Sequence, residues 1–170
     1  MSSDRIFLAI FIAFLSACNL FSAIAATGTN GNKSDDQIIT DACKAAKEKN
    51  CNILLKFSAK WCPWCVNLKK ISQEKPLAEA LKKFELVELD VGDKVMVNGK
   101  KQYKNFLELM QKYSPEVFIP QMIVLDCNGK VISRLNPDDY ESKDQKGNDP
   151  EKLAKILLKC SITEKQPAGK

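Results

Sequence analysis

Two cysteines separated by two residues, Cys62 and Cys65, lie in the segment KWCPWC at residues 60–65. A thiol pair at this spacing can bind a metal ion, form a structural disulfide, or cycle between dithiol and disulfide. A structural zinc site needs four ligands, whereas the chain has no histidine and no second closely spaced cysteine pair. A disulfide that closes so short a loop would remove little entropy from the unfolded chain. The two residues therefore favour redox cycling, without a metal or another cofactor.

Redox cycling requires an exposed first thiol that ionises readily, a second thiol within reach, and rigid structure behind both. The apolar segment at residues 52–59 predicts a strand, and the residues after Cys65 predict a helix. Cys62 would then lie at the helix N-terminus, where unpaired N–H groups favour a negative charge. Cys65 follows one turn later on the same side, and Pro63 suits the first turn of a helix.

Hydrophobic periodicity predicts the other elements of the fold. A first helix begins at the capping residue Ser34 and ends near Asn50. The helix that carries the cysteines is expected to break at Lys75, because Pro76 follows it. The later segments predict, in order, a strand at 85–91, a polar loop or small hairpin, a helix at 103–113, two strands joined around 128–129, and a helix capped by Asp149. This order predicts an α/β fold with a central mixed β-sheet and helices on both faces.

The N-terminal residues predict export. Residues 6–26 contain no charged side chain and end in small residues, so residues 1–26 are predicted to be an export signal. A cleaved signal peptide, a lipoprotein signal with the lipid on Cys18, and an uncleaved anchor remain open. Each form places the domain in the periplasm or another exported compartment, with membrane contact only through the signal or the lipid. Residues 27–35 are predicted to be a flexible linker, and residues 161–170 a flexible tail.

Composition excludes several classes of function. The chain has no histidine, which rules out Ser-His-Asp and Cys-His catalysis and histidine-ligated metal sites. Its net charge of +5 is spread along the sequence, so nucleic-acid binding is not expected. Of the seven cysteines, Cys18 lies in the signal. The other six form an even set in a compartment that permits disulfides.

The segment FSAKWCPWC after a predicted strand, the later FIP at residues 118–120, and the order of elements resemble the thioredoxin superfamily. The resemblance covers residues 36–160 and implies a thioredoxin-like fold. The hairpin LDCNGKVISR and the break at Pro76 look most like exported domains of bacterial disulfide-interchange systems. The resemblance implies that Cys62 is the nucleophile and Cys65 the resolving thiol. It also implies that the partners are protein thiols or disulfides and a redox partner protein.

The resemblance further implies a binding site for substrate. The Ile119–Pro120 bond would be cis and packed against the cysteines, and the backbone beside it would pair with an extended substrate segment. The alternative for Pro120 is an ordinary proline at the start of a strand. Trp61 resembles the family's active-site tryptophan. Trp64 is expected to be exposed beside the thiols, and its role is either contact with a partner or packing in the core. The residues expected to bind substrate are Trp61, Pro63, Trp64, Ile119 and Pro120.

Lys56 departs from the family pattern, since thioredoxins commonly have a buried aspartate six residues before the first cysteine. Lys56 lies on the strand face that points toward the cysteine-bearing helix, so it is predicted to tune the ionisation of the thiols. A charged ammonium would favour a thiolate, whereas a neutral amine could accept the proton of Cys65. The alternative is a side chain whose head group only reaches solvent.

A disulfide outside the CxxC segment is also implied by the resemblance. In a thioredoxin-like sheet, Cys51, Cys127 and Cys160 would lie at the end away from the active site. Cys51–Cys127 and Cys127–Cys160 are then the candidate bridges, and Cys43 is expected to remain a buried thiol. The alternative is that all four cysteines are packed and reduced.

The function that these residues predict is thiol–disulfide exchange with proteins outside the cytosol. The direction of net transfer depends on the reduction potentials of the pair and of its partner. Two alternatives remain open at this stage: a redox-sensitive binding module without turnover, and a cysteine-based carrier of copper(I).

Overall fold

The computed structural model describes residues 33–144 and 146–161, so the predicted export signal and most of the predicted linker and tail lie outside the described residues. The helices are α1 (Asp35–Lys49), α2 (Pro63–Ile71), α3 (Leu77–Leu81), α4 (Leu107–Tyr113) and α5 (Pro150–Ser161), with a 3₁₀ turn at Pro137–Tyr140. The strands are β1 (Asn52–Ser58), β2 (Phe84–Asp90), β3 (Lys94–Val97), β4 (Lys100–Tyr103), β5 (Gln121–Leu125) and β6 (Val131–Arg134). None of the helices in this part of the chain is long and apolar enough to cross a membrane.

Four strands form the main sheet in the order β2-β1-β5-β6. Strand β1 pairs in parallel with β2 and antiparallel with β5, and β5 continues antiparallel to β6. The side chains of β1 alternate between two buried clusters, with Ile53, Leu55 and Phe57 on one face and Leu54 on the other. The first cluster includes side chains of α1 and α4, and the second includes side chains of α3 and α5. The predicted central mixed sheet with helices on both faces is confirmed.

The predicted helix boundaries hold where a local capping residue sets them. The Ser34 hydroxyl accepts a hydrogen bond from the Gln37 N–H at 3.2 Å, and Asn50 ends α1 in the left-handed conformation at φ 51°. At the start of α5, the Asp149 carboxylate accepts hydrogen bonds from the N–H groups of Glu151 and Lys152. Each contact satisfies a backbone group that a helix end leaves unpaired.

Two helix predictions are wrong in extent. Helix α2 ends at Ile71, before Lys75, and the Lys75–Pro76 peptide bond is cis. Tyr103 lies on strand β4, and α4 begins only at Leu107, because Phe106 adopts a left-handed conformation at φ 57°. The polar segment before Tyr103 is a hairpin.

That hairpin, β3–β4, turns at Asn98 and Gly99, whose φ angles are 50° and 75°. Positive φ at both central residues is the requirement of the type I′ turn that connects tightly paired strands. Of the two predicted forms of this segment, a polar loop or a small hairpin, the structure therefore has the hairpin.

Candidate active site

Cys62 and Cys65 lie where the chain leaves β1 and enters α2. Cys62 is the N-cap of α2 and Pro63 its first residue. The Cys62 sulfur accepts a hydrogen bond from the Cys65 N–H at 3.3 Å. A negative charge on that sulfur would be stabilised by this N–H and by the positive end of the helix dipole. The structure thus places the two cysteines as the sequence predicts.

The expected exposure of Cys62 is wrong, since the residue is only 5% exposed and Cys65 is 3% exposed. The segment before β5 helps to cover it, with the Cys62 thiol 3.8 Å from the carbonyl oxygen of Ile119. The difference between the two thiols therefore lies in position and hydrogen bonding, and hardly in exposed area.

Cys65 is held as a neutral thiol. Burial raises the pKa of Cys65 to about 12, and a hydrogen bond with the Cys62 sulfur also raises it. A hydrogen bond with the Ala59 backbone and the charge of Lys56 act in the opposite direction. Cys65 must therefore give up a tightly held proton before it can attack another sulfur.

The Ile119–Pro120 peptide bond is cis, as the resemblance implies. Ile119 packs against the buried cluster that contains both cysteines, and Pro120 is itself buried. The structure brings these two residues to the cysteine pair. Trp61 and Trp64 lie in the same region and are 45% and 37% exposed.

Trp61 is fixed by the β3–β4 hairpin, which sequence reasoning did not connect with the site. Its indole N–H donates a hydrogen bond to the Gly92 carbonyl at 2.9 Å, and its ring stacks on Tyr103 with centroids 6.5 Å apart. The Lys94 ammonium lies 5.4 Å from the centroid of the Trp61 ring and 5.7 Å from that of Tyr103. The hairpin thus packs against Trp61, the residue that precedes Cys62.

Helix α2 is also fixed from the loop that precedes α5. The Asn148 side-chain amide donates to the Trp64 carbonyl at 3.2 Å and to the Asn67 side-chain oxygen at 3.0 Å. The Asn148 backbone N–H also donates to Asn67, at 2.8 Å. A Cβ atom at Gly147 would lie 2.7 Å from the Asn67 side chain, so any other residue there would force that side chain to shift. The sequence carries no motif that would have identified these contacts.

Lys56 is buried beside the site. The residue is 6% exposed, and its ammonium forms an ion pair with the carboxylate of Glu88, which lies directly opposite on β2. The Glu88 side chain is 56% exposed, so the pair joins a buried cation to a solvated anion. Lys56 does not simply extend into solvent, and its charge lowers the pKa of Cys65.

Two tyrosines lie close enough to the thiols to be affected by their charge. Burial raises the pKa of Tyr103, and charges on Cys62 and Cys65 raise it further. Tyr140 is fully buried, and its hydroxyl has no hydrogen-bond partner among the described residues. Burial and then the charge of Cys65 raise its pKa. The sequence pattern did not place either tyrosine near the thiols, because both are distant from the CxxC segment along the chain.

The six cysteines of the described residues are all free thiols, so the structure contains none of the bridges expected among them. Within the same residues, no group of three or more His, Cys, Asp or Glu side chains could hold a metal ion.

A family model described as thioredoxin-like matches residues 37–126 of the 170-residue chain. The chain belongs to this thioredoxin-like family. A solved disulphide isomerase from Xylella fastidiosa Temecula1 is similar to this thioredoxin-like protein at 24% identity and a TM-score of 0.58, over 79% of this chain and 98% of the other. That likeness shows the thioredoxin-like fold. A comparison with curated proteins gives no match.

Two further solved structures are similar at lower TM-scores. A DsbH oxidoreductase has 22% identity and a TM-score of 0.45, over 76% of this chain and 84% of its own. A thioredoxin-fold protein from Helicobacter pylori has 25% identity and a TM-score of 0.39, over 64% of this chain and 81% of its own.

Proposed function

We propose that this thioredoxin-like protein is a thiol–disulfide oxidoreductase that exchanges its Cys62–Cys65 dithiol or disulfide with protein substrates. The proposal rests on the position of the Cys62 sulfur. It lies at the N-cap of α2, 3.3 Å from the Cys65 N–H, and beside the cis Ile119–Pro120 segment. The disulphide isomerase of similar fold described above adds support.

In the reducing direction, the Cys62 thiolate attacks one sulfur of a substrate disulfide. A mixed disulfide forms, and the other substrate sulfur leaves as a thiolate that takes up a proton. Cys65 then loses its proton and attacks the Cys62 sulfur. This step forms the Cys62–Cys65 disulfide and releases the second substrate thiol. Two electrons pass to the substrate, and the reverse sequence oxidises a substrate dithiol.

The assignment of roles rests on the different environments of the two sulfurs. Cys62 accepts an N–H at the helix N-terminus, which favours its thiolate. Cys65 keeps its proton because burial raises its pKa to about 12. Cys62 is therefore the attacking thiol, and Cys65 acts once a mixed disulfide has formed.

Substrate would bind as an extended segment beside Ile119 and Pro120, with Trp61, Pro63 and Trp64 around the cysteines. The surface continues along the hairpin. Met96 and Lys101 are opposed in its register, and they share a face with Lys94 and Tyr103, which hold Trp61. Met96 is 62% exposed, so this face offers an apolar contact with positive charge beside it.

The protein would act outside the cytosol, as the apolar N-terminal segment predicts. Cell fractionation tests this location, and full-length, unprocessed chain in the cytosol would contradict it. Globomycin-sensitive processing with a lipid on Cys18 would identify a lipoprotein, whereas insensitive cleavage would indicate a simple signal peptide.

Insulin reduction with excess dithiothreitol tests the activity. The wild-type protein should turn over, and Cys62→Ser should abolish turnover. Cys160→Ser is the matched control, because Cys160 lies near the end of α5 and packs against the cluster on the other face of the sheet, so the change should leave the rate unchanged. A wild-type protein that forms the Cys62–Cys65 disulfide but reduces no insulin would instead indicate a redox-sensitive binding module.

A further inference from the structure

A second group of thiols lies at the end of the sheet away from the active site. In the β1–β5 ladder, Ile53 is opposite Leu125 and Leu54 is opposite Val124. Cys51 lies immediately before β1 and Cys127 lies two residues after β5, in the turn that leads to β6, so the two residues lie at the same end of this strand pair. Cys51 precedes β1, whereas Cys62 follows it, so the full length of the strand separates the two groups.

Both side chains lie on the same face of the sheet. Cys51 and Cys127 both pack, partly buried, against the cluster that contains Ile53 and Leu125. A disulfide needs Cα atoms about 4.4–6.8 Å apart, and the last paired residues of two such strands have Cα atoms about 4.5–5.5 Å apart, so the adjacent strand ends bring the two cysteines within reach of one another.

Cys43 of α1 is the third thiol of this group and packs against the same cluster. Its sulfur lies 3.4 Å from where a Cβ of Gly129 would be, in the turn that follows Cys127. Burial is the main cause of the raised pKa of both Cys43 and Cys51, and the charge of Cys127 adds to it in each case. Cys127 therefore lies near both of the other thiols.

Cys160 belongs to a different environment. It packs against the cluster on the opposite face of the sheet, which contains Leu54 and Val124. Its carbonyl oxygen accepts a hydrogen bond from the Asn52 side chain at 2.8 Å, and Asn52 points to the face away from Cys51. A Cys127–Cys160 bridge would have to cross the sheet.

We propose that Cys51 and Cys127 form a second redox pair, which closes to a cross-strand disulfide and leaves Cys43 as a free thiol. The oxidant is a small disulfide such as oxidised glutathione. One thiolate of the pair attacks it and releases one small thiol, and the other then displaces the second small thiol. One disulfide is formed and one is broken, with two electrons passing to the small disulfide.

The structure shows the reduced form of this pair, as it does of Cys62 and Cys65. The Cys51 sulfur now accepts a hydrogen bond from the Glu85 backbone, so closure requires rotation of its side chain. The bridge would join the start of β1 to the end of β5, two neighbouring strands that are distant along the chain. Because it restricts the unfolded chain, oxidation should raise Tm.

The test uses the full chain with Cys62→Ser and Cys65→Ser, so its result does not depend on the proposed activity. The protein is equilibrated in glutathione buffers, free thiols are blocked, and peptides are mapped without reduction. A linked peptide pair containing Cys51 and Cys127 is expected. A bridge that includes Cys43 would overturn the pairing, and alkylation of Cys51 and Cys127 in the most oxidising buffer would overturn the proposal.

Thermal unfolding of the same protein gives a second measurement. Reduction should lower Tm by roughly 5 °C or more. Cys51→Ser should remove this difference, and Cys160→Ser should preserve it. Equal Tm values for the oxidised and reduced forms would overturn the inference that the bridge joins the two strands. If a Cys→Ser variant fails to fold, peptide mapping of the parent protein still tests the pairing.

Discussion

Lys56→Met should slow the resolution of the mixed disulfide by Cys65. Lys56 is buried, and its charge lowers the pKa of Cys65. Methionine fills a similar volume without the charge, so the pKa of Cys65 should rise further. The exposed Glu88 carboxylate would lose its partner but remain solvated, so the fold should tolerate the change.

The size of the effect follows from Coulomb's law. At an effective dielectric constant of about 20, a unit charge taken to be about 8 Å from the thiolate contributes about 2 kcal/mol. The Glu88 carboxylate is present in both proteins and cancels from the comparison, which leaves about 2 kcal/mol, or an increase of about 1.5 in the pKa of Cys65. Because a more basic thiolate is also a better nucleophile, the rate of resolution should fall only about six- to eightfold.

Stopped-flow single turnover with a fluorescent disulfide substrate measures this step, with the alkylation rate of Cys62 followed against pH in parallel. Glu88→Gln is the matched control, because it removes the counter-charge and keeps the ammonium. Its resolution rate should be equal to or faster than that of the wild type. Equal rates for wild type and Lys56→Met from pH 6 to pH 9 would refute the electrostatic role and leave Lys56 with a packing role alone.

Cys65→Ser should accumulate mixed disulfides through Cys62, detectable by mass spectrometry, and capture of partners only through Cys65 would reverse the two roles. The reduced protein should lose stability above pH 9, because unfolded Cys65 ionises near its ordinary value of 9.0 and the folded thiol only near 12. Urea unfolding should show a loss of about 1 kcal/mol from this residue at pH 10. A Cys65→Ala variant whose stability falls with the same pH slope would show that the loss does not come from Cys65. The double substitution Met96→Glu and Lys101→Glu should raise the KM for an acidic protein substrate and leave the KM for a small disulfide unchanged. Equal KM values of the wild type and the double variant for the protein substrate would exclude the hairpin from substrate binding.

The sequence by itself determined the features that depend on neighbours along the chain. Ser34, Asn50 and Asp149 mark helix ends because a single side chain or turn conformation satisfies the local backbone. The spacing of Cys62 and Cys65 placed both in the first turn of a helix after a strand. The order of elements led to the mixed sheet, since short connections restrict the topologies available.

Only the tertiary structure decided what surrounds these residues. Cys62 is buried because a segment more than fifty residues later covers it, and Lys56 is paired because β2 brings Glu88 opposite it. Tyr103 lies on the hairpin that holds Trp61, although its spacing had predicted a helix. The physical reason is common to all of these: burial and ion pairing depend on which distant elements pack together, and a local pattern does not encode that choice.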